Sequence, residues 1–570
     1  MKRTLSFFLL FLCFLPLFSQ NLDQVGKDKK VVKLNGGIST SHIFYAASGL
    51  ENRRNPYDYF VTGNIGLDIY GWSAPFSFTF SNQQVNFQQP FNQYGLHPTY
   101  KWIKTHLGWN SMSFSPYTLA GHLYNGVGFE LTPTENWNVS VMYGRLQKAV
   151  ALDTLQANNL PAFRRMGTGL KVGYKRQKDG VELIAFRAWD KENSIGILPD
   201  SIGLAPQENL VLSIHATKSF LEKALLDVEF ASSAITEDLR SGFLGDSSSK
   251  KNIYTSLGDI FRPRTSTAVY HAFKSSLSYP LKFMTIGATY ERVEPGYRTL
   301  GAYFFNNDLE NITLNLSTKI FKKVSLSSNL GTQRNDLYNQ KASQMRRFVG
   351  SVNASAALNK KMNLTASYSN FQSYTNVRSV FDQINQTTPF QNLDTLRYRQ
   401  ISQNASLSFN YALSKTQASS QMLLASLVYQ TSKDEQGGKD RNTGVQFYNM
   451  NVAHNLSLSS SGASIATSFA FNHNETLGQA STTFGPNVAF SRPFFKKQLK
   501  ASLSSAFNNA YRAGSLASSV LNLRLSGQYT LLKKHNFSAS SILLRKNTRN
   551  TLNANTFNEL TATFAYSYNF

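Results

Sequence analysis

The sequence predicts an all-β fold, a single large antiparallel transmembrane β-barrel of about 24–26 strands. Three observations predict it: apolar and polar residues alternate along most of the chain, a short turn recurs through the second half, and aromatic residues stand beside those turns. Aromatics make up 13% of the 570 residues and charged residues only 16%, which excludes a disordered chain and a coiled coil. Repeated apolar runs of about 20 residues are absent, so a protein with several membrane-spanning helices is excluded too.

Alternation with a period of two residues is typical of a strand with one apolar face. Phe76, Phe78 and Phe80, for example, alternate with small polar residues. The same pattern returns at residues 137–143, 170–174, 407–411 and 521–525. Sustained helical periodicity is almost absent, so strands are expected throughout.

Short turns, commonly with lysine beside a bulky apolar residue, divide these strands into hairpins. In the second half they are spaced about 35 to 55 residues apart, and each interval holds two strand patterns and one longer polar loop. They fall at residues 220–223, 280–283, 321–323, 359–362, 414–416, 459–463, 495–497 and 532–535. Tight turns therefore gather at one rim of the sheet and long loops at the other.

Alternation alone does not separate a membrane barrel from a soluble repeat protein such as a propeller. Many strand patterns extend over about 10 to 14 residues, which suits a tilted membrane crossing. Aromatics such as Tyr279, Phe321 and Phe537 stand beside the tight turns, where a membrane-interface girdle belongs. The opposite strand faces carry Ser, Asn, Gly, Thr and Ala, which suits a hydrated interior. The membrane barrel is favoured, and the soluble repeat protein is the alternative.

The N-terminal segment has the form of a cleaved export signal. Basic residues at positions 2 and 3 precede an apolar block over residues 5–18. A retained anchor helix is the alternative, which Pro16 and the shortness of the block disfavour. The expected organisation is a signal peptide over 1–20, a short N-terminal segment over 21–30 and a barrel over 31–570. The only cysteine, Cys13, lies in the signal, so no disulfide and no cysteine-ligated metal is expected in the mature chain.

The last strand pattern ends on an aromatic residue. Phe564, Tyr566, Tyr568 and Phe570 alternate with small or polar residues. This pattern resembles the terminal strand of Gram-negative outer-membrane β-barrels, in which a final aromatic is part of the signal read by the barrel-assembly machinery. The resemblance covers the export signal, the hairpin rhythm and the terminus. It implies an assembly signal at Tyr566, Tyr568 and Phe570, an outer-membrane location, short periplasmic turns and long extracellular loops.

Side chains cannot fill a barrel of about 26 strands, so its lumen is either a channel or filled by another part of the chain. TonB-dependent transporters use an N-terminal plug domain, but strand-like sequence begins here by Val31 and no plug is expected. Three internal segments are candidates to fold inward. They are residues 82–99, residues 115–126 with Tyr117 and His122, and residues 235–265. Ordinary surface loops are the alternative for all three.

The formal net charge of +25 at pH 7 suits phosphate-rich partners. Lysines crowd the tight turns, whereas many arginines fall in the long loops or the adjoining strand ends. Because arginine grips phosphate or carboxylate in a bidentate way, contact with outer-membrane lipid and lipopolysaccharide, or attraction of anionic cargo, is expected. The candidate contacts are Arg53, Arg54, Arg164, Arg165, Arg346 and Arg347. Scattered solvated charge is the alternative, and nucleic-acid binding is not expected because no recognised motif accompanies the charge.

One motif, residues 294–301, departs from the hairpin rhythm. Pro295 and Gly296 mark a turn in it, and an aromatic run follows. Tyr297 and Arg298 are candidates for a partner-binding or lumen loop, and a loop packed for purely structural reasons is the alternative.

No set of residues predicts catalysis or a cofactor. The histidines are dispersed without metal-binding spacing, and neither a GxSxG motif nor a P-loop is present. The protein is therefore expected not to be an enzyme. The expected function is a wide channel or translocation conduit for solutes or polypeptide. The alternative is a loop-occluded barrel that anchors or scaffolds a surface-exposed or periplasmic protein complex.

Overall fold

The structure of the protein is a computed structural model in which almost all regular structure is β. The predicted signal peptide and residues 21–30 lie outside the described residues. Two single-turn 3₁₀ helices occur in the described chain, at Glu192–Ser194 and Thr255–Leu257, and no helix there has the length and hydrophobicity to cross a membrane. The structure describes residues 32–570 apart from 83–91, 153–160, 197–198, 200–201, 222, 245–252, 259, 321–322, 336, 339–345, 371–372, 376–398, 402, 433–434, 437–438, 441–443, 477 and 550–554.

The strands are numbered in chain order. They are β1 (Val32–Ser48), β2 (Tyr57–Ile69), β3 (Trp72–Ser81), β4 (Gln93–Leu96), β5 (Thr99–Tyr100), β6 (Ile103–Ser113), β7 (Ala120–Leu131), β8 (Trp137–Gln147), β9 (Arg164–Arg176), β10 (Asp179–Lys191), β11 (Glu208–Phe220), β12 (Ala224–Thr236), β13 (Thr267–Pro280), β14 (Met284–Val293), β15 (Leu309–Ile320), β16 (Val324–Arg334), β17 (Arg346–Asn359), β18 (Met362–Ser369), β19 (Ser373–Thr375), β20 (Arg399–Ile401), β21 (Gln403–Lys415), β22 (Ser419–Ser432), β23 (Glu435–Gln436), β24 (Lys439–Asp440), β25 (Val445–Leu458), β26 (Ser464–Thr476), β27 (Gln479–Phe494), β28 (Leu499–Arg512), β29 (Ser515–Leu531), β30 (His535–Thr548) and β31 (Asn555–Asn569).

The sheet closes on itself. Barrel strands that follow one another in the chain pair antiparallel, and β31 pairs with β1, with Tyr568 opposite Ile38. β4 and β5 together occupy one position between β3 and β6, so the barrel has 26 strand positions. Two small hairpins, β19–β20 and β23–β24, stand apart from it in the loops. The prediction of one antiparallel barrel of about 24–26 strands is confirmed.

The two faces of the barrel wall differ in chemistry. Leu503 of β28 and Leu525 of β29 pair in register, and both side chains are more than half exposed. Their chain neighbours Ser504 and Ser526 are half-buried on the opposite face. Because hydrocarbon offers no partner for a backbone amide, a sheet with an apolar outer surface can span a membrane only when it is closed. The protein is therefore a transmembrane β-barrel of the outer-membrane type.

Short turns connect the strands at the rim that holds the beginning of β1 and the end of β31. They fall at predicted positions, including residues 281–283, 416–418 and 532–534. Exposed aromatics such as Phe283 and Phe495 lie in these turns, where a membrane interface accommodates them. This is the periplasmic rim, and the long loops lie at the extracellular rim, as expected.

In the connection between β12 and β13, the described residues 237–244, 253–258 and 260–266 lie against the outside of the barrel and are called the outer loop below. Its aromatics Tyr254 and Phe261 are fully buried against Leu210 and Ala234. The strand register puts these two aliphatic side chains on the lipid-facing side of the wall. By sequence, residues 235–265 are a candidate to fold into the lumen, with a surface loop as the alternative; these two aromatics follow the alternative, because the outer wall offers them an apolar surface of its own.

We expect arginine to be tolerated on one face of β29 and not on the other. Leu525→Arg places a charge in hydrocarbon near the middle of the strand and should destabilise the barrel by about 2–4 kcal/mol. Ser526→Arg, one residue away, places the same side chain in the hydrated lumen and should cost much less. Reversible unfolding in lipid vesicles measures both variants, and equal destabilisation would contradict the assignment of the two faces.

Candidate functional site in the lumen

The inner surface of the barrel has two unlike walls. The polar wall, formed by the inner faces of β17, β18, β21, β22 and β25–β31, is lined by small hydroxyl and amide side chains. Examples are Ser406, Ser426, Asn451, Ser468, Asn487, Ser504, Ser526 and Ser540, all of them half-buried. The packed wall, formed by the inner faces of β6–β15, is lined by glycines, apolar side chains and a row of charged groups. Many of its residues are fully buried.

Glycines form a recess in the packed wall. They occupy inward positions of three neighbouring strands, at Gly126, Gly128, Gly144, Gly167 and Gly169. A Cβ atom at Gly169 would lie 2.6 Å from the ring of Phe114, and one at Gly167 would lie 2.8 Å from Leu146. The missing side chains thus make room for a buried cluster that contains Phe114, Leu119 and Leu300.

Two segments from the extracellular rim fill this recess and are called the inner loops below: residues 114–119 between β6 and β7, and residues 294–308 between β14 and β15. They are hydrogen-bonded to each other. The hydroxyls of Tyr297 and Thr299 donate to the carbonyls of Tyr117 and Thr118, at 2.8 and 2.7 Å. The amide that begins β7 also donates to the carbonyl of Gly301, at 2.9 Å.

Asn209, the second residue of β11, fastens the longer inner loop to the packed wall. Its side chain is fully buried, and its amide group donates to Ser233 Oγ at 2.8 Å and to the Ala234 carbonyl at 3.0 Å. Its Oδ1 accepts the backbone amide of Leu300 at 3.1 Å, and Ser233 Oγ donates to the carbonyl of Arg298 at 2.7 Å. The inner loop is therefore held by buried, satisfied hydrogen bonds as well as by apolar packing.

Tyr117 and Tyr297 meet edge to face in the inner loops, with ring centroids 6.3 Å apart. The Tyr117 hydroxyl donates to Glu291 Oε1 at 2.6 Å. Burial raises the pKa of both hydroxyls well above the usual value, and the neighbouring Glu291 carboxylate raises the pKa of Tyr117 further. Both tyrosines therefore stay protonated and act as hydrogen-bond donors throughout the physiological pH range.

A row of charged side chains crosses the packed wall on the periplasmic side of the inner loops. It consists of Glu182, His215, Glu229, Lys274 and Glu291, each opposite the next in the strand register. His215 lies 3.3 Å from Glu182 and 2.9 Å from Asp227. Within the described residues, no group of three or more acidic, histidine or cysteine side chains could hold a metal ion. The row carries more carboxylates than lysines, although the chain as a whole is strongly basic.

The inner loops bring together four residues that the sequence singles out. Tyr117 and Tyr297 are buried in the lumen cluster, as described above. His122 lies near the start of β7, and its ring stacks on that of Tyr303 in the longer inner loop, with ring centroids 4.1 Å apart. Arg298 forms an ion pair with Glu237, at the start of the outer loop.

The candidate arginines are not brought to one place. Arg53 donates to Glu559 at 2.6 and 2.9 Å, and the Arg54 guanidinium lies 5.9 Å from the Tyr45 ring. Arg165 points inward and binds the buried carboxylate of Asp190 through two bonds, at 2.8 and 2.9 Å. Arg164 faces outward. Arg346 and Arg347 begin β17, and their side chains lie outside the described part of the chain.

The terminal aromatics lie at the closure of the barrel. Tyr566 hydrogen-bonds His535 Nδ1 at 2.9 Å, and Tyr568 packs beside the same ring. The Phe570 amide donates to the carbonyl of Gly36 at 3.0 Å. Their role as an assembly signal stays a prediction.

Sequence reasoning missed Asn209, the glycine recess and the charged row. The glycines could have been noticed in the sequence, because they are spaced two residues apart in β7 and in β9. This pattern alone does not predict a recess, because small residues are also common in strands that face water. Asn209 and the charged row left none, because their partners are contributed by other strands and loops.

No protein-family model and no curated protein matches this sequence. Solved structures that match it include the copper transporter OprC, at 9% identity over 94% of this chain and 80% of that one, with a TM-score of 0.38. The ferric citrate transporter FecA matches at 8% over 94% and 79%, with a TM-score of 0.37. The FrpB iron transporter from Neisseria meningitidis matches at 8% over 94% and 82%, with a TM-score of 0.37. The assignment as an outer-membrane barrel rests on the strand pairing and the apolar outer surface of this chain.

We expect Asn209→Leu to release the longer inner loop. The substitution keeps the side-chain size but leaves the buried Leu300 amide without its acceptor, which costs about 1–3 kcal/mol. Hydrogen exchange of the Leu300 amide should accelerate by about ten-fold or more. Asn410→Leu makes the same chemical change on the polar wall and serves as the control. Unchanged exchange at Leu300 would contradict the anchoring role of Asn209.

Proposed function

We propose that the protein is an outer-membrane channel in which hydrophilic solutes pass along the polar wall, while the inner loops narrow the lumen from the packed wall. The observation that carries this proposal is the division of the lumen. Apolar packing and buried hydrogen bonds hold the inner loops against β6–β15, and the facing strands present half-buried hydroxyl and amide groups. A lining of this kind holds water and binds a solute weakly enough to release it.

The inner loops favour solutes over polypeptide as cargo. The cluster that holds them includes Phe114, Leu119, Phe186 and Leu300, each less than 9% exposed. Inner loops that pack like a protein core resist displacement, because exposing each buried apolar side chain to water costs about 1.5–3 kcal/mol of free energy. Passage of a bulky chain would require that displacement, whereas small hydrophilic solutes would not.

A weak preference for anions follows from the charges on the polar wall. A recess of about 470 Å³ there is lined by Lys500 and Arg524 among serines such as Ser502 and Ser526. Neither cation forms an ion pair with a described residue. Their uncompensated charge would raise the local concentration of anions in the water beside this wall.

Single-channel recording tests the proposal. The purified protein should give stable conductance steps in a planar bilayer. Replacement of residues 296–304 by a flexible Gly-Ser segment of the same length should give larger steps, because the longer inner loop then loses the hydrogen bonds and apolar contacts that hold it to the packed wall. The double variant Tyr254→Ala/Phe261→Ala loosens the outer loop instead and should leave the step size unchanged. A silent wild-type barrel that co-purifies with a fixed protein would contradict the channel and favour the scaffold.

Ion selectivity tests the path along the polar wall. Under a potassium chloride gradient, the reversal potential of the wild type should show a preference for chloride. Lys500→Gln/Arg524→Gln should reduce that preference, because both charges face the lumen. Arg545→Gln/Arg549→Gln removes the same charge from an outward strand position and a loop, and should have little effect. An equal shift in both double variants would point to a path elsewhere.

A further inference from the structure

A pocket opens on the outside of the barrel at the extracellular rim, away from the lumen. Its volume is about 670 Å³. Its lining includes four basic and three acidic residues: Arg164, Arg187, Lys191, Arg264, Asp190, Glu192 and Glu208. We call it the outer arginine pocket. It lies at the extracellular rim, where β9 and β11 begin and β10 ends. The adjacent outer loop contributes Arg264.

The strand register puts these side chains on the lipid-facing side. Arg187 follows Val181 and Leu183 at two-residue steps along β10, and both of those side chains are exposed on the outer face. Arg164 is opposite Lys191, which lies on that same face. Arg165, the next residue in the chain, points inward to Asp190. Alternation therefore separates two adjacent arginines, one into the lumen and one into the outer pocket.

Aromatic residues mark the height of the pocket in the membrane. The ring of Trp189 lies 6.5 Å from that of Tyr143, an exposed outward residue of β8. The Arg187 guanidinium stacks 4.9 Å from the Trp189 ring. Tryptophan and tyrosine gather at the level of lipid headgroups, so the pocket lies at the headgroups of the outer leaflet.

The pocket has more cationic groups than the protein neutralises. Arg187 is paired with Glu208 at 2.5 Å, and the Asp190 carboxylate is already bound by Arg165. Among the described residues, neither Arg164 nor Arg264 forms an ion pair. Of the other nearby carboxylates, Glu192 is exposed at the rim and Asp238 is already bound by Arg240.

Two guanidinium groups at or beside the pocket also have hydrogen-bond donors without a partner among the described residues. The Nε atoms of Arg264 and Arg145 are buried and form no hydrogen bond to a described residue. Arg264 gives one bond, from Nη1 to the Ser241 carbonyl at 2.8 Å, and stacks on Phe243 at 4.2 Å. Arg145 lies on the outer face of β8, diagonally across from Arg164. Buried donors without partners are costly, so an acceptor from outside the chain would stabilise them.

We propose that the outer arginine pocket binds a phosphate group on the headgroup of an outer-leaflet glycolipid. Phosphate offers several acceptor oxygens and the charge that the arginines lack. The outer loop exposes Phe243, Ile253 and Ile260, which suit acyl chains rather than water. A lipid combines both chemistries, whereas a free ion supplies only the first. The site lies outside the lumen and does not depend on the proposed channel.

Lipid retention tests the site. The full-length protein is purified from native outer membrane in mild detergent, and bound phosphorylated glycolipid is counted by native mass spectrometry. Arg164→Gln/Arg264→Gln should retain about ten-fold less of this lipid than the wild type after equal washing, because two charge-assisted bonds are lost. Arg545→Gln/Arg549→Gln removes equal charge elsewhere and should retain the wild-type amount. Equal retention in both double variants would overturn the proposal.

Rebinding to delipidated wild-type protein identifies the source of the phosphate and does not depend on the folding of a variant. Three probes are compared at equal phosphate concentration: a phosphorylated glycolipid in neutral-lipid nanodiscs, the same lipid after enzymatic dephosphorylation, and inorganic phosphate. Saturable binding of the first alone supports the site. Equal binding of the dephosphorylated lipid would overturn recognition of phosphate. Binding of inorganic phosphate with the same affinity would overturn the lipid as its ligand.

Discussion

Backbone hydrogen bonding in hydrocarbon is the constraint on which the rest of this structure depends. A strand that crosses lipid must pair on both edges, so the sheet is stable only when the last strand meets the first. Here β31 closes on β1 along twelve consecutive residue pairs, from Gly37 opposite Asn569 to Ser48 opposite Asn558. Closure fixes the direction of every side chain, because successive residues must then face lipid and lumen in turn. It also fixes a wide interior, since 26 strands enclose far more space than their own side chains fill.

The chain treats this interior in two ways, and the choice follows from residue size. Glycines on the inner faces of β7–β9 remove the side chains that would otherwise keep the inner loops at a distance, so aromatic rings pack directly on the backbone of the wall. Buried groups such as Asn209 then satisfy the polar backbone of the loops, which makes this half of the lumen resemble a protein core. Serines and asparagines on the other half are too small to meet across the lumen and retain affinity for water. Core-like and hydrated regions thus coexist in one barrel.

Much of the fold could be predicted from the sequence, because a two-residue period reports the direction of each side chain and a turn reports where the direction of the chain reverses. The strands around Phe76 and Leu525 and the turn at residues 532–534 follow from these local signals. The site depends on contacts between distant residues. Tyr117 and Tyr297 could be singled out as unusual, but their hydrogen bond joins residues 180 positions apart, and no local pattern encodes it. Nor could sequence decide that Tyr254 packs on the outer wall, since an apolar ring gains as much by burial there as in the lumen.

The same period that builds the barrel also sorts its positive charge. Arg164 and Arg165 are adjacent and chemically identical, yet Arg164 lies on the lipid-facing side of the wall and Arg165 binds a buried carboxylate, because adjacent positions in a strand face opposite sides of the sheet. A count of arginines near the extracellular rim therefore says little about what they bind. The parity of each position within its strand decides whether an arginine can be neutralised by the protein or must find its counter-ion outside it. On the outer face of β8–β10, Arg164 forms no ion pair with a described residue, and we propose that the membrane supplies its counter-ion.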